Sequence, residues 1–331
     1  MKKISVLGAG TWGITLAYIL SQKGYEVYVW DINAELLDYI NTKHTHPRFN
    51  YLNLKNIWAE KDILAVVEKS EAIFIVVPSQ AVRSVCKKIK SLKLNEKIFV
   101  ICSKGIEIET GKLLSEVVKE ELGNKSIHIS VLSGPSHAEE VSKGLPTAIT
   151  VASENDEIAR KIQEIVFAKN FRVYRNNDII GVQVGGSVKN VIAIAGGISD
   201  GMGFGDNSRA ALITRGLSEM VRLGKKLGAN EITFMGLAGI GDLVVTITSK
   251  HSRNRYFGEL IGKGYSISEA LKKVGMIVEG FFTTKSVYKL KNKLGVEMPI
   301  SEVLYKVLYE GLKPHKGLEI LLNREAKPEI Y

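Results

Sequence analysis

Lys3-Ile4-Ser5-Val6-Leu7 runs straight into Gly8-Ala9-Gly10-Thr11-Trp12-Gly13, and an apolar, helix-forming stretch follows over 14–20. This reads as strand, tight turn and helix, the context in which G-x-G-x-x-G carries information. Gly8 suits the tight turn, Gly10 lets the backbone approach a pyrophosphate, and Gly13 lets the helix pack closely on the strand. The free N–H groups and positive dipole end of the helix then face the phosphates. A second strand over 26–30 ends at Asp31, 23 residues beyond Gly8. An acid about 20 residues on is suited to a ribose 2′-hydroxyl. The alternative is that the glycines serve only a turn and Asp31 only caps the next helix. Strand, turn, helix, strand and acid in that order favour a dinucleotide site.

Working outward, a helix is expected over 34–41 and a long polar loop over 43–56, the kind of segment that often covers a site. Apolar strands follow over 72–77, 97–102, 126–132, 147–152 and 171–174, alternating with helices that begin at Ser79, Thr110, Ser136 and Glu157. Near-continuous apolar strands between helices indicate an α/β fold: a Rossmann-type, doubly wound and mostly parallel sheet covered on both faces. Beyond Asn177 the strand pattern stops. Helical runs take over at 182–198, 207–227, 241–248, 254–262, 266–274, 283–294, 300–310 and 315–322. The reading is therefore a dinucleotide-binding domain over 1–180 and an all-α substrate-binding domain over 181–331.

Composition narrows the class. The chain has 331 residues, long for one core, and a hydrophobic share of 45% with 24% charged is ordinary for a globular protein. A formal charge of +10 raises nucleic acid, a membrane surface or small anions as partners. The densest lysine pairs, Lys87-Lys88, Lys225-Lys226 and Lys272-Lys273, fall where amphipathic helices show their wet faces, so the excess reads as solvated surface. Cys86 and Cys102 sit in apolar surroundings and read as reduced core thiols, which fits a cytoplasmic setting. No C-x-x-C or clustered His/Cys spacing suggests a metal. No secretory leader and no uninterrupted apolar run long enough for a membrane span is expected.

Polar stretches follow three strands, at Val77-Pro78-Ser79, 102–107 and 132–138, where open α/β sheets bind ligands. Lys104, in Ser103-Lys104-Gly105-Ile106-Glu107, either brings a cation to the crevice or is a solvated loop lysine. Gly134-Pro135-Ser136 turns into a helix, either to hold an anion or to cap that helix. Lys189 and Asn190 interrupt the apolar run Val184 to Ala195; a charge there is costly unless paired or used, or unless it snorkels from the helix edge. Asp242 and the pair Arg253 and Arg255 stand near turns, and either arginine suits a phosphate or a surface acid.

Together these stretches resemble the bacterial type of the NAD(P)-dependent glycerol-3-phosphate dehydrogenase family. The resemblance is carried by G-A-G-T-W-G (8–13), S-K-G-I-E (103–107), S-G-P-S-H-A-E-E-V (133–141) and K-N-V-I-A-I-A-G-G-I (189–198). G-D-N-S-R-A-A-L-I-T-R-G (205–216), G-L-A-G-I-G-D-L (236–243), S-R-N-R (252–255) and V-E-G (278–280) extend it over most of the chain. It implies an oxidoreductase that interconverts dihydroxyacetone phosphate and sn-glycerol 3-phosphate for glycerophospholipid synthesis, using NAD or NADP and no metal. It assigns Lys189 as catalytic acid/base. Lys104, Gly134, Ser136, Lys189, Asn190, Asp242, Ser252, Arg253 and Asn254 are implied to meet the substrate. Beside Gly8, Gly10, Gly13 and Asp31, it brings Thr11, Trp12, Lys104, Ala138, Arg253, Ile277 and Glu279 to the cofactor.

Two departures from the family pattern stand out. Asp31-Ile32-Asn33 replaces a neutral or basic stretch after the second strand, and a carboxylate there would repel a 2′-phosphate, so NAD(H) is expected to serve at least as well as NADP(H). His137 stands where an aromatic ring is common. The partner expected is a small phosphate substrate, not nucleic acid; a homodimer is left open. The competing readings are a related two-domain hydroxyacid dehydrogenase and a cofactor-sensing protein without turnover.

Overall fold

The computed structural model describes residues 2–123, 126–326 and 328–329. Its first part alternates β1 (Lys3–Leu7), α1 (Thr11–Gln22), β2 (Glu26–Trp30), α2 (Ala34–Lys43), β3 (Ile57–Ala59), α3 (Ile63–Lys69) and β4 (Ala72–Ile75). It continues through α4 (Val82–Ile89), β5 (Ile98–Ile101), α5 (Leu114–Leu122), β6 (His128–Ser133), α6 (Ala138–Val141), β7 (Thr147–Ala152), α7 (Asp156–Val166) and β8 (Phe171–Asn176). The strands form one eight-stranded sheet in the order β3-β2-β1-β4-β5-β6-β7-β8. Every pairing is parallel except β6 with β7. Because side chains alternate along a strand, Ala72 and Phe74 enter one apolar cluster while Ile73 and Ile75 enter the cluster on the opposite face.

Three features differ from the sequence reading. The segment expected as loop is followed by the edge strand β3 and the helix α3, too short to show a period. The helix expected from Thr110 starts at Leu114. Residues 107–112 close a turn instead, in which Glu107 N–H donates to the Lys112 carbonyl and Thr110 Oγ1 donates to the Glu107 carboxylate at 2.6 Å. The helix expected from Ser136 is the single turn α6.

Past β8 the described chain is helical: α8 (Ile179–Gly201), α9 (Asp206–Lys226), α10 (Asp242–Thr248), α11 (Arg253–Gly262), α12 (Ile267–Val274), α13 (Glu279–Leu294), α14 (Pro299–Tyr309) and α15 (Pro314–Leu322). Asp178 caps α8, accepting the Gly181 N–H at 2.7 Å. By length and mean hydropathy α8 could cross a membrane, yet 89% of its apolar window is buried within the protein. It is the axis of the helical part. Against α11 it packs backbone to backbone: a Cβ on Gly197 would lie 1.9 Å from the Arg255 carbonyl oxygen, and one on Gly258 would lie 2.1 Å from that of Ile194.

The two parts are stitched together. Ser79, after β4, donates its N–H at 2.9 Å and its hydroxyl at 2.5 Å to the Glu279 carboxylate at the start of α13. The Gln183 amide of α8 exchanges hydrogen bonds with Ser115 of α5 at 2.9 and 2.8 Å.

Candidate active site

The turn between β1 and α1 is shaped by what its glycines cannot carry. Gly8 has φ +114°, and a Cβ there would lie 2.9 Å from the backbone of Val76; a Cβ on Gly13 would lie 1.8 Å from the Gly8 carbonyl oxygen. Gly10 is different: nothing lies within 4 Å of its would-be Cβ, and no side chain caps α1. Thr11 and Trp12 begin that helix, Trp12 leaning on Phe171 with ring centroids 6.3 Å apart. An open approach over Gly10 onto uncapped helix N–H groups fits a diphosphate. Asp31 does not simply await a ribose. One of its oxygens accepts the Ala9 N–H at 2.7 Å and the other the Asn33 N–H at 2.9 Å, so it also braces the glycine turn.

The second constellation draws on elements far apart in the chain. Lys189, in the middle of α8 and only 6% exposed, donates to Asp242 Oδ1 at 2.7 Å and to Thr246 Oγ1 at 2.8 Å. Lys104, following β5, donates to the other oxygen of Asp242 at 2.6 Å and to the Gly134 carbonyl at 3.0 Å. That carbonyl also accepts the Ser136 hydroxyl at 2.9 Å. Two ammonium groups thus share one carboxylate that is 1% exposed. Lys189 does not snorkel; it is paired, as a buried charge must be. Burial drags its ammonium down to about 7, a shift that Asp242 resists and Lys104 reinforces. Burial works to raise the Asp242 carboxyl, but the two lysines outweigh it and hold it below its ordinary range.

The other expected substrate residues lie next to this cluster. Asn190 Oδ1 accepts from the Asn254 amide at 2.9 Å, and Asn254 Oδ1 accepts the Gly280 N–H at 2.9 Å, so both amides are largely occupied in joining α8, α11 and α13. Ser252 caps α11, accepting the Arg255 N–H at 3.2 Å. Of the two arginines left open, Arg255 is committed to Asp200 at 2.7 Å. Arg253 is exposed and, among the described residues, its guanidinium donates only to the Ile277 carbonyl, at 3.2 Å, with the Glu279 carboxylate near enough to attract it. Burial raises the Glu279 carboxyl against the pull of its Ser79 hydrogen bonds. Ala138 starts α6 at the edge of the cluster that holds Ala9. His137 keeps a planar ring at the departing position, 6.0 Å from the His251 ring between centroids, and its Nε2 is buried without a hydrogen-bond partner among the described residues.

Sequence reasoning missed Thr246, and it placed Ser79 in a polar stretch after a strand without foreseeing its partner. Thr246 lies four residues after Asp242 on α10, a spacing that places both on one helix face; Ser79 carried no local signal for its partner 200 residues away. Among the described residues no group of three or more His, Cys, Asp or Glu is arranged to hold a metal ion.

The sequence profile of the NAD-dependent glycerol-3-phosphate dehydrogenase N-terminus matches residues 3–159, and that of its C-terminus matches residues 178–319. The chain is 48% identical to glycerol-3-phosphate dehydrogenase (NAD(P)+) of Clostridium botulinum, covering 100% of both chains. It is also 48% identical to the protein of the same description from Bacillus pumilus, covering 100% of this chain and 96% of that one. A crystal structure of glycerol-3-phosphate dehydrogenase from Coxiella burnetii superposes with a TM-score of 0.94 at 41% identity, covering 98% and 99% of the two chains.

Proposed function

The chain belongs to the NAD-dependent glycerol-3-phosphate dehydrogenase family, and from that premise we propose that Lys189, Lys104 and Asp242 are its reaction centre. The protein is an NAD(P)-dependent oxidoreductase that reduces dihydroxyacetone phosphate to sn-glycerol 3-phosphate. Its product is the backbone of glycerophospholipids, which gives the reaction its place in lipid synthesis.

The open approach over Gly10 and the uncapped start of α1 fit a dinucleotide, held by the glycine turn, Thr11, Trp12, Ala138, Arg253, Ile277 and Glu279. When bound, the reduced nicotinamide supplies a hydride to the ketone carbon. The ketone oxygen gains negative charge as this happens, and the protein's task is to meet it with a proton. Lys189 is suited to that task because its pKa near 7 lets it hold the proton at neutral pH and yield it readily. Asp242 fixes the ammonium in place, and Thr246 accepts a second of its hydrogens, leaving the third to point at a ligand. Lys104 adds a second positive charge that disfavours the protonated lysine and stabilises the oxyanion. Arg253, free of any carboxylate pairing at its guanidinium nitrogens among the described residues, is the group for the substrate phosphate, with Ser252, Asn190 and Asn254 setting the walls. Residues 1–180 would then serve the cofactor and 181–331 the substrate, with Lys104, Gly134 and Ser136 crossing over.

The observation that carries this reading is the double use of Asp242 by two lysines, one of them buried mid-helix. Following NADH oxidation with dihydroxyacetone phosphate in Lys189→Ala, beside a direct measure of NADH binding, tests it. Lost turnover with intact binding supports the role, and near-normal turnover refutes it.

A further inference from the structure

The segment over 44–56 lies against the glycine turn and carries a cation that none of the roles above uses. It is firmly attached. Phe49, Leu52 and Leu54 are buried in the cluster that also holds Ala9, Ala138 and Val141. The Tyr51 hydroxyl lies 2.7 Å from the Ser142 hydroxyl just past α6. His46, 4% exposed, is the clip: its Nδ1 accepts the Arg48 N–H at 3.2 Å, and its ring lies near enough to the backbone of Ala9, inside the glycine turn, to be influenced by it. The backbone of Arg48 is thereby pinned one residue's contact from the turn, while its guanidinium is exposed.

No carboxylate pairs with Arg48 among the described residues. Its charge is felt instead by another cation, Arg253. Glu279 and Glu139 offset Arg253 on that side, and Asp31 acts on His46 from the β2 end. Two guanidinium groups that repel each other, one of them held beside the glycine turn, are a poor arrangement unless an anion comes between them. A nicotinamide dinucleotide brings one, its diphosphate.

We propose that Arg48 is a cofactor-binding residue that closes on the diphosphate of the dinucleotide from the side opposite Arg253. The proposal rests on the reading that the cofactor runs over the glycine turn. It adds that the segment over 44–56 is part of the binding site, with His46 as a positioning residue that holds Arg48 over it.

The test measures dissociation constants for NADH, NADPH and ADP-ribose by calorimetry, in the wild type, Arg48→Ala and Arg48→Lys. All three ligands carry the diphosphate, so Arg48→Ala is expected to weaken each by the same factor, about tenfold, with Arg48→Lys recovering part of it. The unfolding midpoint should not move, since the side chain is exposed. Wild-type affinity for NADH in Arg48→Ala overturns the proposal. A loss confined to NADPH also overturns it, placing Arg48 on the 2′-phosphate, as does a loss seen only in KM for dihydroxyacetone phosphate. Failure of the underlying reading is separately visible: Gly10→Val would then bind NADH as the wild type does.

Discussion

The glycine turn and the lysine cluster solve the same problem, holding charge at a defined point, by opposite means. The turn uses backbone alone: Gly8 and Gly13 pack against main chain, and Gly10 leaves a gap. It is contiguous in sequence and its charge is the partial charge of a helix end. The cluster uses full charges on side chains from positions 104, 189 and 242, and it exists only once β5, α8 and α10 are packed. The first is therefore readable from a short motif and tolerant of distant change; the second is strong, costly to bury and dependent on the whole fold.

Substitutions at the two regions should therefore fail in different ways. The largest effect belongs to Lys189→Ala, expected to lower kcat by roughly 10²- to 10⁴-fold while NADH affinity, measured by fluorescence, stays near wild type. Asp242→Asn should remove the charge that two ammonium groups share. The stability cost, read from urea unfolding, is expected at about 3–5 kcal/mol, and the Lys189 pKa should fall further. On the other side, Gly13→Ala should destabilise by about 1–3 kcal/mol by driving a methyl into the Gly8 carbonyl. Gly10→Ala should leave the unfolding curve within about 0.5 kcal/mol and lower dinucleotide affinity, separating the packing glycine from the binding one.

A pH profile sharpens the contrast further. In the proposed mechanism Lys189 must carry its proton for ketone reduction and must have lost it for alcohol oxidation. With its pKa near 7, kcat/KM for reduction should decline as pH rises through that value, and the oxidation rate should climb over the same range. A reduction profile flat to about pH 9, near the lower edge of an ordinary lysine's titration, would contradict the burial argument. The smallest effect is expected at Asp31. Removing its charge in Asp31→Asn should shift the NADPH-to-NADH ratio of kcat/KM upward by about tenfold or less, because part of that carboxylate's work is bracing Ala9 and Asn33.

Much of this was legible in the chain because each signal was local. The Rossmann half announced itself through apolar strands at regular spacing, and the helical half through their disappearance. The cluster was visible only as anomalies, a lysine in an apolar helix and an acid beside glycines, whose meeting no periodicity predicts. Short elements were lost for a different reason. Ile57-Trp58-Ala59 is three residues of edge strand, and α3 is two turns flanked by charges, so neither completes a recognisable period. The late start of α5 was hidden because Glu107, held by Arg83 at 2.8 Å, closes a turn that helix propensity alone does not foresee. Arg253 and Arg255 were equivalent as residue types, and only the position of Asp200 on α8 tells them apart.

The contact between α8 and α11 leaves no slack. Where glycine meets a neighbouring carbonyl at what would be sub-van der Waals range for any methyl, the spacing of the two helices is fixed to a fraction of an ångström. Lys189 and Asn190 ride on one of those helices and Arg253 and Asn254 on the other, so the span from the proposed proton donor to the proposed phosphate-binding arginine is set like the jaws of a gauge. Acceptance of a longer or shorter phosphorylated ketone could not come from sliding these helices; it would have to arise from new side chains at their ends.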